Sequence, residues 1–86
     1  MATLKVAAHS RVPAIAGAIA GTIRDQGRAE VHAIGAGAVN QAVKAVAVAR
    51  RFLETEGYDI VLIPAFVNVE IADQTKSALK FVVESR

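Results

Sequence analysis

Twice in its first fifty-odd residues this chain switches from a two-residue apolar period to a helical one. That double switch limits what it can fold into more than any other feature. Leu4, Val6 and Ala8 alternate with Thr3, Lys5 and Ala7, as in a strand with one buried face. His9-Ser10-Arg11-Val12 then leads to Pro13, which suits the first turn of a helix because its missing N–H is not needed there. Ile15, Ile19 and Ile23 recur every four residues, predicting a helix to about Gln26 with Gly27 as its C-terminal cap. The pattern repeats. Ala29, Val31 and Ala33 alternate with Glu30, His32 and Ile34; Gly35-Ala36-Gly37 makes a turn; and a second helix is predicted from about Ala38 to Thr55.

The remainder reads as two strands. Tyr58 to Ile71 is apolar and rich in β-branched residues, Ala72-Asp73-Gln74-Thr75 has turn chemistry, and Ser77 to Glu84 alternates. The order is β-α-β-α-β-β, and right-handed crossovers place two helices on one face of a four-stranded mixed sheet. The expected class is therefore α/β, in the two-layer α+β sense, with residues 1–86 as one domain. Pro64 cannot donate to a ladder, so the third strand is expected at a sheet edge. Ile60 to Val67 is apolar on both faces, and such an edge calls for a cover, most simply a second subunit.

Composition narrows the function. Of 86 residues 53% are hydrophobic, with no Trp and four Phe or Tyr, so the core must pack closely around Ala and Val or share its surface. The absence of Cys favours a reducing compartment, and the first residues lack the features of a leader peptide, so a cytoplasmic location is expected. The apolar uncharged runs Val12 to Ile23 and Ile60 to Asn68 fall short of the ~20 residues a membrane helix needs, and no membrane role is expected. The net charge of +2 permits contact with nucleic acid, although the Lys and Arg are scattered in sequence.

Four features bear on function. Gly17 and Gly21 share a face of the first helix with Ala14 and Ala18, at roughly 1 kcal/mol per glycine relative to Ala. Either close packing within the domain or close approach of a partner backbone would offset that cost. Gly35-Ala36-Gly37-Ala38-Val39-Asn40 is either a tight turn needing positive φ or an anion contact; it lacks the Gly-Lys-Ser/Thr of a P-loop and the third glycine of a dinucleotide fingerprint. On the second helix Val39, Ala42, Val43, Ala45, Val46, Ala49, Phe52 and Leu53 span an apolar arc of roughly 180° by the helical period. Asn40, Gln41, Lys44 and Arg51 gather opposite, as an ordinary solvated face or as a stripe for phosphates. Finally, His9, Ser10 and Arg11 fall at the carboxyl ends of the parallel strands, the edge that α/β sheets use for ligands. Arg11 is there either a phosphate ligand or a plain loop arginine. Catalysis looks poor. His9 and Ser10 point apart, Glu30 and His32 are too few for a zinc site, and neither metal nor cofactor is expected.

The run Ala33-Ile34-Gly35-Ala36-Gly37-Ala38-Val39-Asn40-Gln41-Ala42-Val43-Lys44-Ala45-Val46-Ala47-Val48-Ala49-Arg50 resembles the signature of the stage V sporulation protein S family. So do Ala16-Gly17-Ala18-Ile19-Ala20-Gly21 and Ile63-Pro64-Ala65-Phe66, and the resemblance covers essentially the whole chain. More distantly, Gly35 to Phe52 is similar to the strand-to-helix passage of Alba, the archaeal chromatin proteins that bind DNA and RNA as dimers. The resemblance implies an Alba-like fold, a dimer or higher oligomer, and nucleic-acid binding in a regulatory, sporulation-related role. The chain departs from Alba in having only Arg11 where Alba's first loop carries paired lysines, and in an arm, Asn68 to Ser77, with Glu70 and Asp73 against Lys76.

The leading expectation is thus a non-enzymatic, nucleic-acid-binding regulatory protein in which Arg11, Gly35, Gly37, Asn40, Lys44 and Arg51 meet DNA or RNA phosphates. Lys5 and Lys80, on the other sheet face, are second-rank candidates. Gly17, Gly21, Ile63 and Phe66 are the expected contacts between subunits. The competing expectation is a protein-interaction module that binds no nucleic acid.

Overall fold

The computed structural model describes residues 3–86; Met1 and Ala2, the start of the segment read as lacking a leader, lie outside the described residues. The elements follow as β1 (Thr3–Val6), α1 (Val12–Gln26), β2 (Arg28–Ala33), α2 (Ala36–Glu54), β3 (Ile60–Ile71) and β4 (Gln74–Ser85). The strands lie in the order β1-β2-β4-β3, so β3 is an edge, as Pro64 requires. β1 runs parallel to β2, with Leu4 opposite Val31 and Val6 opposite Ala33. β4 is antiparallel to both β2 and β3.

Alternation decides what each face carries. Leu4, Val6, Ala29, Val31, Ala33, Phe81 and Val83 share the face covered by the helices. The helices add Ile15, Ala16, Ile19, Ala20 and Ile23 from α1, and Ala38, Ala42, Ala45, Val46, Ala49 and Leu53 from α2. The opposite face carries Lys5, Glu30, His32, Lys80 and Glu84.

Several boundaries move. β1 stops at Val6 rather than Ala8, because the Ser10 hydroxyl accepts from the Ala7 N–H at 2.9 Å and the Ser10 N–H donates to the Ala7 carbonyl at 3.0 Å, closing a turn. The expected four-residue turn between the last strands contracts to Ala72-Asp73, since Ile71 already pairs with Gln74. β3 and β4 therefore form a hairpin of twelve residues a side whose outer half extends as an arm. The expected apolar arc of α2 is also too wide: Val43 and Phe52 flank the buried stripe and are 47% and 48% exposed. Six buried positions on α2 suffice for a helix lying on a sheet and against one neighbouring helix.

Ala72 and Asp73 have φ of 50° and 62°, the positive pair a two-residue I′ hairpin demands. The left-handed conformation costs an ordinary L-residue roughly 1–2 kcal/mol, and Asn tolerates it better than Ala. Ala72→Asn should stabilise the fold by about 0.5–1 kcal/mol in a urea titration; an unchanged or lowered midpoint would contradict the turn geometry.

Candidate nucleic-acid interface

Both helices start just beyond the carboxyl ends of the parallel pair β1 and β2, and the two entering loops touch. The Gln41 side-chain amide donates to the Ser10 carbonyl at 2.8 Å. At Gly37 a Cβ would stand 2.8 Å from the Ala8 Cβ, so the absence of a side chain there lets the loops close. Gly35 takes φ 88°, the turn conformation that favours glycine, and precedes the first residue of α2. The two glycines thus serve different ends, one a backbone turn and the other a close approach.

Arg11 precedes α1 with an extended backbone, and neither it nor Gly35 makes a side-chain capping bond. Neither helix has an acidic residue in its first turn. Two sets of first-turn N–H groups, each at the positive end of a helix dipole, therefore lie side by side at this end of the sheet. Asn40, Lys44, Ala47 and Arg51 follow at spacings of four, three and four, and so fall along one exposed helix face. Lys44 and Arg51, with Val12, Ala47 and Val48, line a shallow groove of about 400 Å³ between α2 and the start of α1. The seven helical steps from Lys44 to Arg51 span about 10 Å along the axis.

The charges are partitioned. Arg24 pairs with Glu56 at 2.6 Å, Arg28 with Glu84 at 3.4 Å, Arg50 with Glu54 at 3.2 Å and with Asp59 at 2.9 Å, and Arg86 with Asp59 at 2.9 Å. Hydrogen bonding to Arg24 holds the Glu56 carboxyl below its ordinary pKa, and hydrogen bonding to Arg86 does the same for Asp59, helped by the charges of Arg86 and Arg50. Among the described residues, Arg11, Lys44 and Arg51 make no ion pair. The cations that the sequence singled out are thus left uncompensated, while four other arginines are neutralised by carboxylates. These pairings join residues as far apart as Arg28 and Glu84, so the one-dimensional scatter of charge concealed the partition.

The second-rank Lys5 and Lys80 flank His32 in one row across the helix-free face. In the adjacent row Glu30 lies 2.7 Å from the His32 Nε2, and that contact, with the charges of Lys80 and Arg28, keeps its carboxyl below the ordinary value.

The expected subunit contacts fall on separate surfaces. Gly17 and Gly21 are on the outward face of α1, where a Cβ would meet nothing within 4 Å. Close packing within the chain is therefore not what these glycines provide. Ile63 and Phe66 are at the β3 edge, 47% and 82% exposed, with side chains on opposite faces of the strand. Phe66 also borders Gly35, Ala36 and Val39.

The element order, the strand order and two helices on one face define an Alba-like α/β domain. Alba from Thermoplasma volcanium matches it with a TM-score of 0.62, over 99% of this chain and 100% of that one, at 11% sequence identity, a likeness of fold alone. Over residues 2–86 the chain matches the Stage V sporulation protein S (SpoVS) family, and it belongs to that family.

The glycine environments give opposite expectations. Gly37→Ala should destabilise the fold by about 1–3 kcal/mol, because the new methyl strikes a backbone-anchored Cβ. Gly17→Ala and Gly21→Ala should each stabilise it by roughly 0.8–1 kcal/mol, as expected for an open helix position. Thermal melts of the three variants check both signs.

Proposed function

We propose that this protein is a nucleic-acid-binding regulatory protein that acts as a dimer or higher oligomer, with its phosphate-binding surface at the loop end and along the outer face of α2. The observation that carries this reading is the partition of charge: among the described residues Arg11, beside two uncapped helix N-termini, and Lys44 and Arg51, further along α2 towards its last turn, make no ion pair, while Arg24, Arg28, Arg50 and Arg86 are paired. First-turn N–H groups bind phosphate oxygens, and lysine and arginine add charge without reading bases. Gly35, Gly37 and Asn40 bring the α2 backbone and a short amide to the same surface. The chemistry is that of backbone contact, which is largely indifferent to sequence.

The test is fluorescence anisotropy of labelled duplex DNA and single-stranded RNA at several salt concentrations. On duplex DNA, log K should fall linearly with log salt, with a slope magnitude of about 0.9 per phosphate contact. Lys44→Ala combined with Arg51→Ala should lower that slope by about 1.8 and weaken binding similarly on unrelated sequences. Unchanged affinity and slope would remove this surface from consideration.

Assembly is supported by Phe66 and Ile63, which flank an exposed edge strand of twelve residues. A partner meeting that edge touches both side chains even though they face opposite ways. Light scattering across a dilution series should give a mass of at least twice the 9.0 kDa chain at micromolar concentration, shifted to the single chain by Phe66→Ser. A single-chain mass throughout would refute the edge as a subunit contact. The exposed apolar edge also favours a second reading, a protein-recruiting module. A complex with protein that ignores salt, and no binding to either nucleic acid, would select it.

A further inference from the structure

The hairpin arm encloses a groove that the phosphate-binding surface does not use. Lys5, Ala7 and Ala8 of β1 and its following turn, His32 and Ile34 at the end of β2, and Val69 to Ile71 of the arm surround a space of about 400 Å³. Strand alternation sorts these residues by direction. Lys5 and His32 are register partners on the helix-free face, and Ala7 and Ile34 continue that alternation. Val69 and Ile71 share one face of the arm, whereas Glu70, opposite Thr75, belongs to the other. Alternation thus sets the Glu70 side chain on the face of the arm opposite Val69 and Ile71, although the residue borders the groove.

The resulting lining is apolar along the arm and at Ile34, and cationic at the β1 end. Lys5 is exposed and, among the described residues, makes no ion pair. Lys80 continues its row on the far side of His32 and is likewise unpaired among the described residues. The carboxylate nearest this row in register, Glu30, is already engaged by His32 at 2.7 Å. A mostly apolar cavity of this size with a few polar groups at one end is the usual form of a small-molecule site.

We propose that this groove binds a small amphipathic organic anion. Its carboxylate, sulfonate or phosphate group meets Lys5, and its flat apolar body lies between Ile34 and the Val69–Ile71 segment. Such a ligand ties the arm to the β1–β2 end of the sheet. The assignment does not rest on the phosphate-binding surface proposed above, since Arg11, Lys44 and Arg51 take no part; it gives Lys5, a second-rank nucleic-acid candidate of the sequence, a different ligand.

Anilinonaphthalene sulfonate is a suitable probe, carrying a sulfonate on an aromatic body and fluorescing when shielded from water. Titration should show one saturable site per chain, with shifts in the NMR methyl signals of Ile34, Val69 and Ile71. Lys5→Gln should weaken binding roughly tenfold, the scale of one hydrogen bond to a charged group, while Lys5→Arg should retain it. Lys5 is exposed, so neither variant threatens the fold. N-phenylnaphthylamine, the same body without the sulfonate, should bind markedly less tightly. Equal binding of the uncharged probe, or full affinity in Lys5→Gln, would overturn the anionic site. Methyl shifts centred on Val39 and Val43 would place the probe elsewhere and overturn it equally.

Discussion

Everything in this molecule is arranged around alanine. Ala16 and Ala20 on α1, Ala29 and Ala33 on β2, and Ala38, Ala42, Ala45 and Ala49 on α2 are all essentially inaccessible to solvent. A methyl at each of these positions lets the helices lie close to one another and to the sheet. The larger Ile19, Ile23, Leu53, Ile60, Val31 and Val83 then fill the space between layers. Close packing of this kind has a consequence at the loop end. Two helices held near each other must begin near each other, and the strand-to-helix loops have to pass within van der Waals distance. Gly37 against Ala8 is where that requirement is tightest.

The same closeness sets the electrostatics. With the loops in contact, the positive ends of two helix dipoles are side by side, and neither helix opens with an acidic residue. The paired arginines are held by carboxylates at the end of α2, in the segment after it and near the end of β4. Arg50 illustrates the arrangement: it stands one position before Arg51, yet its guanidinium is taken up by Glu54, Asp59 and the Ile60 carbonyl. A step of one residue turns a side chain by about 100° around the helix. That rotation separates a structural arginine from an exposed one.

Much of the fold was legible because its signals are local. The change from two-residue to helical period located β1, α1, β2 and α2, and Pro64 placed β3 at the edge. What escaped depends on distant partners. Val43 and Phe52 satisfy the helical period of a buried face, but they lie on its margins, and only the neighbours on either side determine where burial ends. Ala72-Asp73 lacks the Asn-Gly signal of a two-residue hairpin. Its left-handed pair is imposed by the register that joins Ile71 to Gln74. At the candidate interface the residue types and their helical spacing were readable, and so was the convergence of the two loops. The neutralisation of four other arginines was not, because Arg24 finds Glu56 and Arg28 finds Glu84 only after the chain has folded.

The long hairpin gives the molecule three surfaces with different chemistries. Its edge strand is apolar and presents Phe66 beside the α2 start. Its outer arm carries Glu70 and Asp73 against Lys76, too little positive charge for a phosphate clamp. Its inner side closes a groove over Lys5 and His32. An arm of this composition is poorly suited to gripping nucleic acid, and its length is better explained by what it covers. Twelve residues a side reach well past the six-residue ladder with β2, so the outer pairs of the hairpin depend on each other and on the groove beneath them. A two-stranded ribbon alone is only marginally stable in water. Val69 and Ile71 face the β1–β2 end of the sheet across the groove, so a ligand filling that space would bridge the arm to the sheet and fix its direction.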